Sequence, residues 1–164
     1  MVEGAAFLAN RLKIEGEKAY EYFSLLTPEQ WLSIVYTEGA AWNIRNVLAH
    51  YVTAEKGFLR IFAEVRDGGP GVPEDFDIDR FNANQQIKTQ QLTTFELLEQ
   101  FKSVRGQMIA FVASLSEKDL VKQGRHPFLG ETTLTEMIKM VYRHNQIHAR
   151  DLRSGVGNKP APPE

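Results

Sequence analysis

Cysteine is absent from this chain of 164 residues, and its absence removes several structural and chemical possibilities. Neither disulfide bonds nor cysteine-ligated zinc can hold the fold together. The chain also has no sulfur nucleophile of its own, so any thiol chemistry requires a thiol supplied from outside. The composition is therefore compatible with a reducing compartment and narrows the enzyme classes that the chain can belong to.

Long apolar runs and a strong excess of one charge are also missing. No run approaches the roughly 20 apolar residues of a membrane-spanning helix, and no secretory signal precedes the first amphipathic segment. We therefore expect a cytoplasmic protein without a membrane partner. The net charge of −2 and the pI near 6.1 give no broad basic surface, so nucleic acid is not expected as a partner.

The remaining composition is that of an ordinary globular protein, with 43% hydrophobic and 24% charged residues. A chain of this length can bury a full core as one unit. We expect a single domain over residues 1–153. The glycine- and proline-containing residues 154–164 are predicted to form a flexible C-terminal tail.

The first half of the chain contains two segments with apolar residues at helical spacing. Helix one is predicted over residues 3–26, and Thr27-Pro28-Glu29-Gln30 then predicts a capped short turn. Helix two is predicted over residues 42–66, with Asn43 near its cap and His50 inside it. These two helices supply half of a predicted bundle.

A loop rich in glycine and proline, residues 67–73, predicts a crossover to the second half of the chain. Helix three is predicted to be long, with a polar first part over residues 79–91 and a break or kink near Leu92. Its second part begins at a capping box, Thr93-Thr94-Phe95-Glu96, and continues to about residue 115. This second part has the strongest helical pattern in the sequence.

A second loop covers residues 124–130, and helix four begins after it at another capping box, Thr133-Leu134-Thr135-Glu136. The apolar stripe of helix four continues into His144 and His148. No pair of strands is predicted. Four helices with a long crossover between helix two and helix three predict an all-α four-helix bundle.

Three histidines are predicted to lie within helices. His144 and His148 are four residues apart, so both side chains leave the same face of helix four about one turn apart. His50 in helix two is the candidate third ligand, whereas His126 lies in a predicted loop before a proline and is the poorest candidate. Three neutral imidazoles with a free fourth position suit zinc, nickel or a related divalent ion.

A structural interpretation of the same residues remains as the alternative. Paired histidines in a helix also occur as hydrogen-bonded core residues, and spacing does not show that helices two and four are neighbours. Trp42 and Arg45 are interpreted as a packing residue and a solvated charge, with a place in a site wall as the alternative. Tyr51, Phe58 and Phe62 are interpreted as core. Four residues of the polar segment are interpreted as solvent-exposed, with a place in a pocket wall as the alternative: Phe81, Asn84, Gln85 and Lys88.

The residues around these histidines resemble the DinB/YfiT-like metalloenzyme superfamily, in particular its DinB-like helical-bundle branch. Residues 42–50, Trp-Asn-Ile-Arg-Asn-Val-Leu-Ala-His, are similar to the helix-two signature, which ends in a metal-binding histidine. Residues 142–148, Tyr-Arg-His-Asn-Gln-Ile-His, match the helix-four signature with its paired histidines. The segment 70–82 is also similar to relatives. The resemblance covers nearly the whole chain and implies a divalent metal at His50, His144 and His148, together with a homodimer.

The resemblance also implies a function. It points to a divalent-metal-dependent enzyme that transfers a low-molecular-weight thiol, of the bacillithiol or mycothiol type, to an electrophile. The superfamily includes a mycothiol-dependent maleylpyruvate isomerase, but some isomerase-like relatives use a carboxylate ligand where this chain has histidine. The alternatives are a metal-dependent hydrolase, for which the sequence shows no general base, and a non-catalytic stress protein that binds a metal or ligand. No catalytic residue is assigned.

Overall fold

Helices make up most of the computed structural model, which describes residues 4–39 and 41–154. Within these ranges the chain forms seven helices: α1 (Ala5–Ser24), α2 (Pro28–Trp31), α3 (Ile44–Arg66), α4 (Ile78–Thr89), α5 (Thr94–Ala113), α6 (Glu117–Leu120) and α7 (Leu134–Ser154). It also forms four short strands: β1 (Ile34–Tyr36), β2 (Trp42–Asn43), β3 (Gln123–His126) and β4 (Gly130–Thr133). The predicted tail falls, from residue 155 onward, outside the described residues.

The four long helices α1, α3, α5 and α7 form the predicted bundle. Helix α1 packs against α5 and α7, and α3 packs against the same two helices. The apolar stripes of all four helices meet in the interior, where Leu12, Phe62, Met108 and Val141 are buried in one cluster. A second cluster, around Tyr51, packs residues of α1, α3 and α5. The all-α four-helix-bundle prediction is therefore confirmed.

Local capping bonds fix where the long helices begin. Asn43 precedes α3, and its side-chain oxygen accepts the backbone N–H of Asn46 at 2.9 Å while the Asn46 side chain accepts the N–H of Asn43. Thr93 and Glu96 make the same reciprocal pair at the start of α5. Each pair satisfies backbone donors that have no partner within the helix. The helix starts predicted from these motifs are confirmed.

The predicted break near Leu92 is complete, so the third predicted helix is two helices, α4 and α5. Arg45 of α3 holds this junction, because its guanidinium donates to the carbonyl oxygens of Thr89 and Leu92, each at 2.6 Å. Carbonyl groups at a helix end lack partners inside the helix, and a cation there is favourable. The interpretation of Arg45 as a solvated charge was wrong.

Two antiparallel strand pairs contradict the prediction that the chain contains no strands. Strand β1 pairs with β2, and β3 pairs with β4 in a hairpin that occupies the predicted loop 124–130. The strands are two to four residues long, too short for an alternating apolar pattern to develop. Gly130 has φ of +70°, which is the conformation that closes the hairpin turn.

None of the helices among the described residues is long and apolar enough to cross a membrane.

Candidate metal centre

Three histidines from two helices meet in the interior of the bundle. His50 is on α3, and His144 and His148 lie one turn apart on α7. The Nε2 atom of His144 lies 2.9 Å from Nε2 of His50 and 3.1 Å from Nε2 of His148. All three residues are buried, with 3 to 7% of their surface exposed. The structure thus brings together the three residues that the sequence analysis selected.

A hydrogen-bond chain sets the orientation of His148. The hydroxyl group of Tyr36 donates to the Asp151 carboxylate at 2.6 Å, and the same oxygen lies 2.7 Å from Nδ1 of His148. Because the hydroxyl proton is already given to Asp151, Nδ1 of His148 must be the donor in the second contact. Neutral His148 therefore carries its proton on Nδ1 and presents a lone pair at Nε2.

Burial keeps the three imidazoles uncharged at neutral pH. Burial, with a smaller contribution from the nearby His148, lowers the pKa of His50 to about 3. Burial also lowers the pKa of His144 well below 6.5 and that of His148 to about 4, with the Asp151 carboxylate partly opposing the shift at His148. Neutral imidazole is the form that binds a metal ion.

The geometry of the three nitrogens fits a small divalent ion. Ligand atoms of His50, His144 and His148 all lie within 4.8 Å of one another. Tetrahedral ligands at the usual zinc–nitrogen distance would be separated by about 3.3 Å. The two closest nitrogen pairs are within a few tenths of an ångström of that spacing, so small side-chain movements would accommodate an ion.

A buried ion pair supports α7 from behind the histidines. The Arg105 guanidinium donates to both oxygens of Glu55 at 2.7 and 2.8 Å and to the side-chain oxygen of Asn145 at 2.5 Å. Asn145 directly follows His144, and its backbone carbonyl accepts the hydroxyl group of Tyr51 at 2.9 Å. These bonds join α3, α5 and α7 at the level of the metal-binding candidates.

An apolar cavity of about 260 Å³ lies beside His50. It is lined by α3, the segment that follows α3, the start of α4 and the turn between β3 and β4. Its polar or charged wall residues are His50, Arg60, Glu64 and Asn82; apolar side chains form most of the remainder, namely Ala54, Phe58, Ile61, Val72, Pro73, Phe76, Ile78, Phe81, Pro127 and Phe128. A cavity of this kind suits a small, largely apolar ligand.

The wall of the cavity includes only one of the four α4 residues that were considered for a pocket wall. Phe81 is in the wall. Asn84 and Lys88 are exposed and Gln85 is partly exposed, and none of the three is among the wall residues. Solvent exposure therefore explains most of the polarity of this helix. Trp42 lies against His50, with ring centroids 5.0 Å apart, so it packs against the candidate centre.

His126 is buried beside the centre, although the sequence placed it in a loop. It ends β3, and its Nδ1 accepts the backbone N–H groups of Phe128 and Leu129 at 3.0 and 3.2 Å. Its ring stacks on Phe58, which in turn lies edge-on to His144. Burial lowers the pKa of His126 to about 4. It does not belong to the group of three ligand candidates found among the described residues.

Tyr36 and Asp151 were not predicted from the sequence as residues of the site. Asp151 lies three residues after His148 on α7, a spacing at which helical side chains are neighbours, so this carboxylate could have been noticed. Tyr36 is in a three-residue strand far from α7 in sequence, and no local pattern connects it to His148.

The fold and the site describe a helical-bundle protein with a candidate trihistidine metal centre, and sequence comparison identifies its family. Residues 11–152 match the sequence profile of the DinB superfamily. Because the match covers most of the chain, the chain belongs to the DinB superfamily. Comparison with curated proteins gives no significant match.

Solved structures share the fold at low sequence identity. An uncharacterised protein from Escherichia coli UTI89 superimposes with a TM-score of 0.73 at 15% identity, over 93% of this chain and 92% of that one. A mycothiol-dependent maleylpyruvate isomerase gives a TM-score of 0.72 at 15% identity, over 90% of this chain but 59% of the isomerase. At this identity the likeness shows the fold alone.

A third similar structure concerns the predicted partners. The colibactin self-resistance protein ClbS, solved in complex with double-stranded DNA, gives a TM-score of 0.72 at 14% identity over 95% of this chain and 99% of that one. The expectation that nucleic acid is not a partner therefore has no support from the comparisons.

Proposed function

We propose that the chain binds a divalent metal ion, zinc or nickel, through Nε2 of His50, His144 and His148. The main support for this proposal is the short distance between the ligand nitrogens of the three histidines. Neutral imidazoles whose lone pairs point to one place repel one another unless a proton or a cation lies between them. A hydrogen bond can join one pair of these nitrogens, whereas one cation can satisfy all three.

We further propose that the chain transfers a low-molecular-weight thiol, of the bacillithiol or mycothiol type, to an electrophile. A bound divalent ion would lower the pKa of the thiol and hold it as a thiolate. The chain has no cysteine, so the sulfur must come from the co-substrate. The thiol proton is released to solvent, and the sulfur forms a new bond to the electrophilic carbon. That carbon either loses its leaving group with the bonding electron pair, or passes the electron pair of its double bond to the neighbouring atom, which takes up a proton.

Residues around the histidines would orient a metal ligand and give the reaction an apolar environment. Tyr36 and Asp151 keep the Nε2 lone pair of His148 available. Phe58 and Phe128 give the cavity an apolar wall next to His144, with ring centroids 6.5 and 6.0 Å from it. Such a wall favours an apolar electrophile and excludes water that would compete with the thiol.

The experiment that tests the function is a screen of small thiols against electrophiles with metal-loaded and metal-free protein. Conjugate formation should require both the metal and the histidines, and His144→Ala should abolish it. Metal-dependent hydrolysis of a substrate in the absence of thiol would replace the transferase proposal with the hydrolase. Ligand binding without any turnover would leave a metal- or ligand-binding protein.

We also propose that the chain forms a homodimer. Phe7 and Ile14 of α1 are exposed apolar residues seven positions apart, so they lie on one face of the helix. An exposed apolar face of this kind is a candidate for contact with a second copy. Light scattering coupled to gel filtration should give twice the chain mass of 18.6 kDa, and Phe7→Lys should shift it to the monomer.

A further inference from the structure

One wall of the cavity beside the candidate centre is formed by the stretch of α3 from His50 to Glu64. His50 lies at one end of the stretch of α3 that lines it, and Arg60 lies ten residues further along the same helix. Ten residues of α-helix span about 15 Å. Between them the wall contributed by α3 consists of Ala54, Gly57 and Phe58. A ligand that fills the cavity would have one end near the histidines, an apolar middle and its other end near Arg60.

Arg60 is a cation without a partner in this wall. Among the contacts of the described residues, its guanidinium makes no hydrogen bond and no ion pair. The neighbouring Glu64 is already engaged, because one of its oxygens accepts the backbone N–H of Gly71 at 2.9 Å. Arg60 is the wall residue that can neutralise an anionic group on a ligand.

Asn82 provides a second polar group. It is only 7% exposed, it lines the cavity, and its side chain makes no hydrogen bond with any other described residue. Its unpaired amide atoms are not among the fully buried ones, so a ligand can reach them. Its position in the cavity wall therefore suits it to a polar group of a ligand.

We propose that the cavity binds an apolar or aromatic carboxylic acid, with Arg60 binding the carboxylate. This inference rests on the proposed function and adds that the electrophile carries a carboxylate group away from its reacting carbon. Guanidinium presents donors in a planar fork that matches a carboxylate. The negative charge of Glu64 in the same wall disfavours a dianion such as a phosphate monoester.

The test measures binding without any reaction. Phenylpropanoic, phenylbutanoic and phenylhexanoic acids are compared with their primary amides by titration calorimetry, and a phenylalkyl phosphate is included as the dianion. The best acid should bind roughly tenfold more tightly than its amide and more tightly than the phosphate. Metal-free protein should show the same preference for the acid over the amide. If the carboxylate instead bound the metal, this preference would disappear in metal-free protein.

Two variants assign the preference to Arg60. Arg60→Gln should abolish the difference between acid and amide, and Lys88→Gln, which removes an exposed charge outside the cavity, should leave it unchanged. Equal binding of acid and amide, tighter binding of the phosphate, no binding of any acid, or a preference that survives Arg60→Gln would each overturn the inference. Metal-dependent thiol transfer is measured separately, so failure of one proposal does not imply failure of the other.

Discussion

The hydroxyl oxygen of Tyr36 lies 2.7 Å from Nδ1 of His148, and this contact determines which nitrogen of His148 faces the other two histidines. Removing the hydroxyl group in Tyr36→Phe leaves Nδ1 without its acceptor, so the Nε2 lone pair is no longer held in place. Loss of such an outer partner typically lowers metal affinity about 10- to 100-fold. We expect a decrease of that size in competition titrations with a chelator, with the helical circular dichroism signal retained.

Tyr22→Phe is the matched control for this variant. The Tyr22 hydroxyl is also buried, but it has no hydrogen-bond partner among the described residues. Its removal should leave metal affinity unchanged. If both variants lowered the affinity equally, the hydrogen-bond chain from Asp151 to His148 would have no special role.

The buried histidines predict that metal-free protein loses stability in mild acid. The folded-state pKa values of about 3 for His50 and about 4 for His148 lie below the unfolded value, near 6.5. The unfolded chain therefore binds more protons between these values. This contribution to stability is complete above about pH 6.5 and is lost as the pH falls to about 4 for His148 and about 3 for His50.

Urea titrations at pH 7.5 and 5.5 measure this loss. Each histidine that stays neutral in the folded state should account for about 1.4 kcal/mol between these two conditions. His50→Asn removes one such group, so its free energy of unfolding should depend less on pH by that amount. An unchanged pH dependence in this variant would contradict the assigned burial of His50.

The Arg105–Glu55 ion pair predicts strong non-additivity between two substitutions. Both side chains are almost fully buried, so removing one leaves an uncompensated charge inside the bundle. Arg105→Met and Glu55→Leu should each cost about 3 to 5 kcal/mol in urea titrations. The double variant should recover most of that loss. Additive losses in the double variant would show that the pair does not act as a unit.

His126 is predicted to stabilise the fold without binding the metal. In His126→Ala, two backbone N–H groups lose their acceptor and a buried ring is replaced by a void. We expect a loss of about 2 to 4 kcal/mol in the free energy of unfolding. Metal content, measured under conditions where the variant is folded, should equal that of the wild type.

Local sequence signals predicted the helices well. The reciprocal caps at Asn43 and Thr93 act over three residues, so their motifs are visible without knowledge of the fold. The break between α4 and α5 was visible for the same reason. The short strands were missed because each has only two to four residues, too few for a periodic pattern.

The candidate site was predictable only in part. The spacing of His144 and His148 places them together on one helix face, but the approach of His50 depends on how α3 packs against α7. The family resemblance supplied that link. Glu55 and Arg105 are charges within otherwise apolar stripes, a signal that indicates a buried pair without revealing which residues are partners.

The central claim is tested most directly by counting metal ions in purified protein and in four single variants, using inductively coupled plasma mass spectrometry after dialysis against zinc or nickel. The wild type should hold about one ion per chain, as expected for one site with three protein ligands. His50→Ala, His144→Ala and His148→Ala should each lose most of it, while His126→Ala should keep it. Equal metal content in all four variants, or no metal in the wild type, would contradict the trihistidine centre.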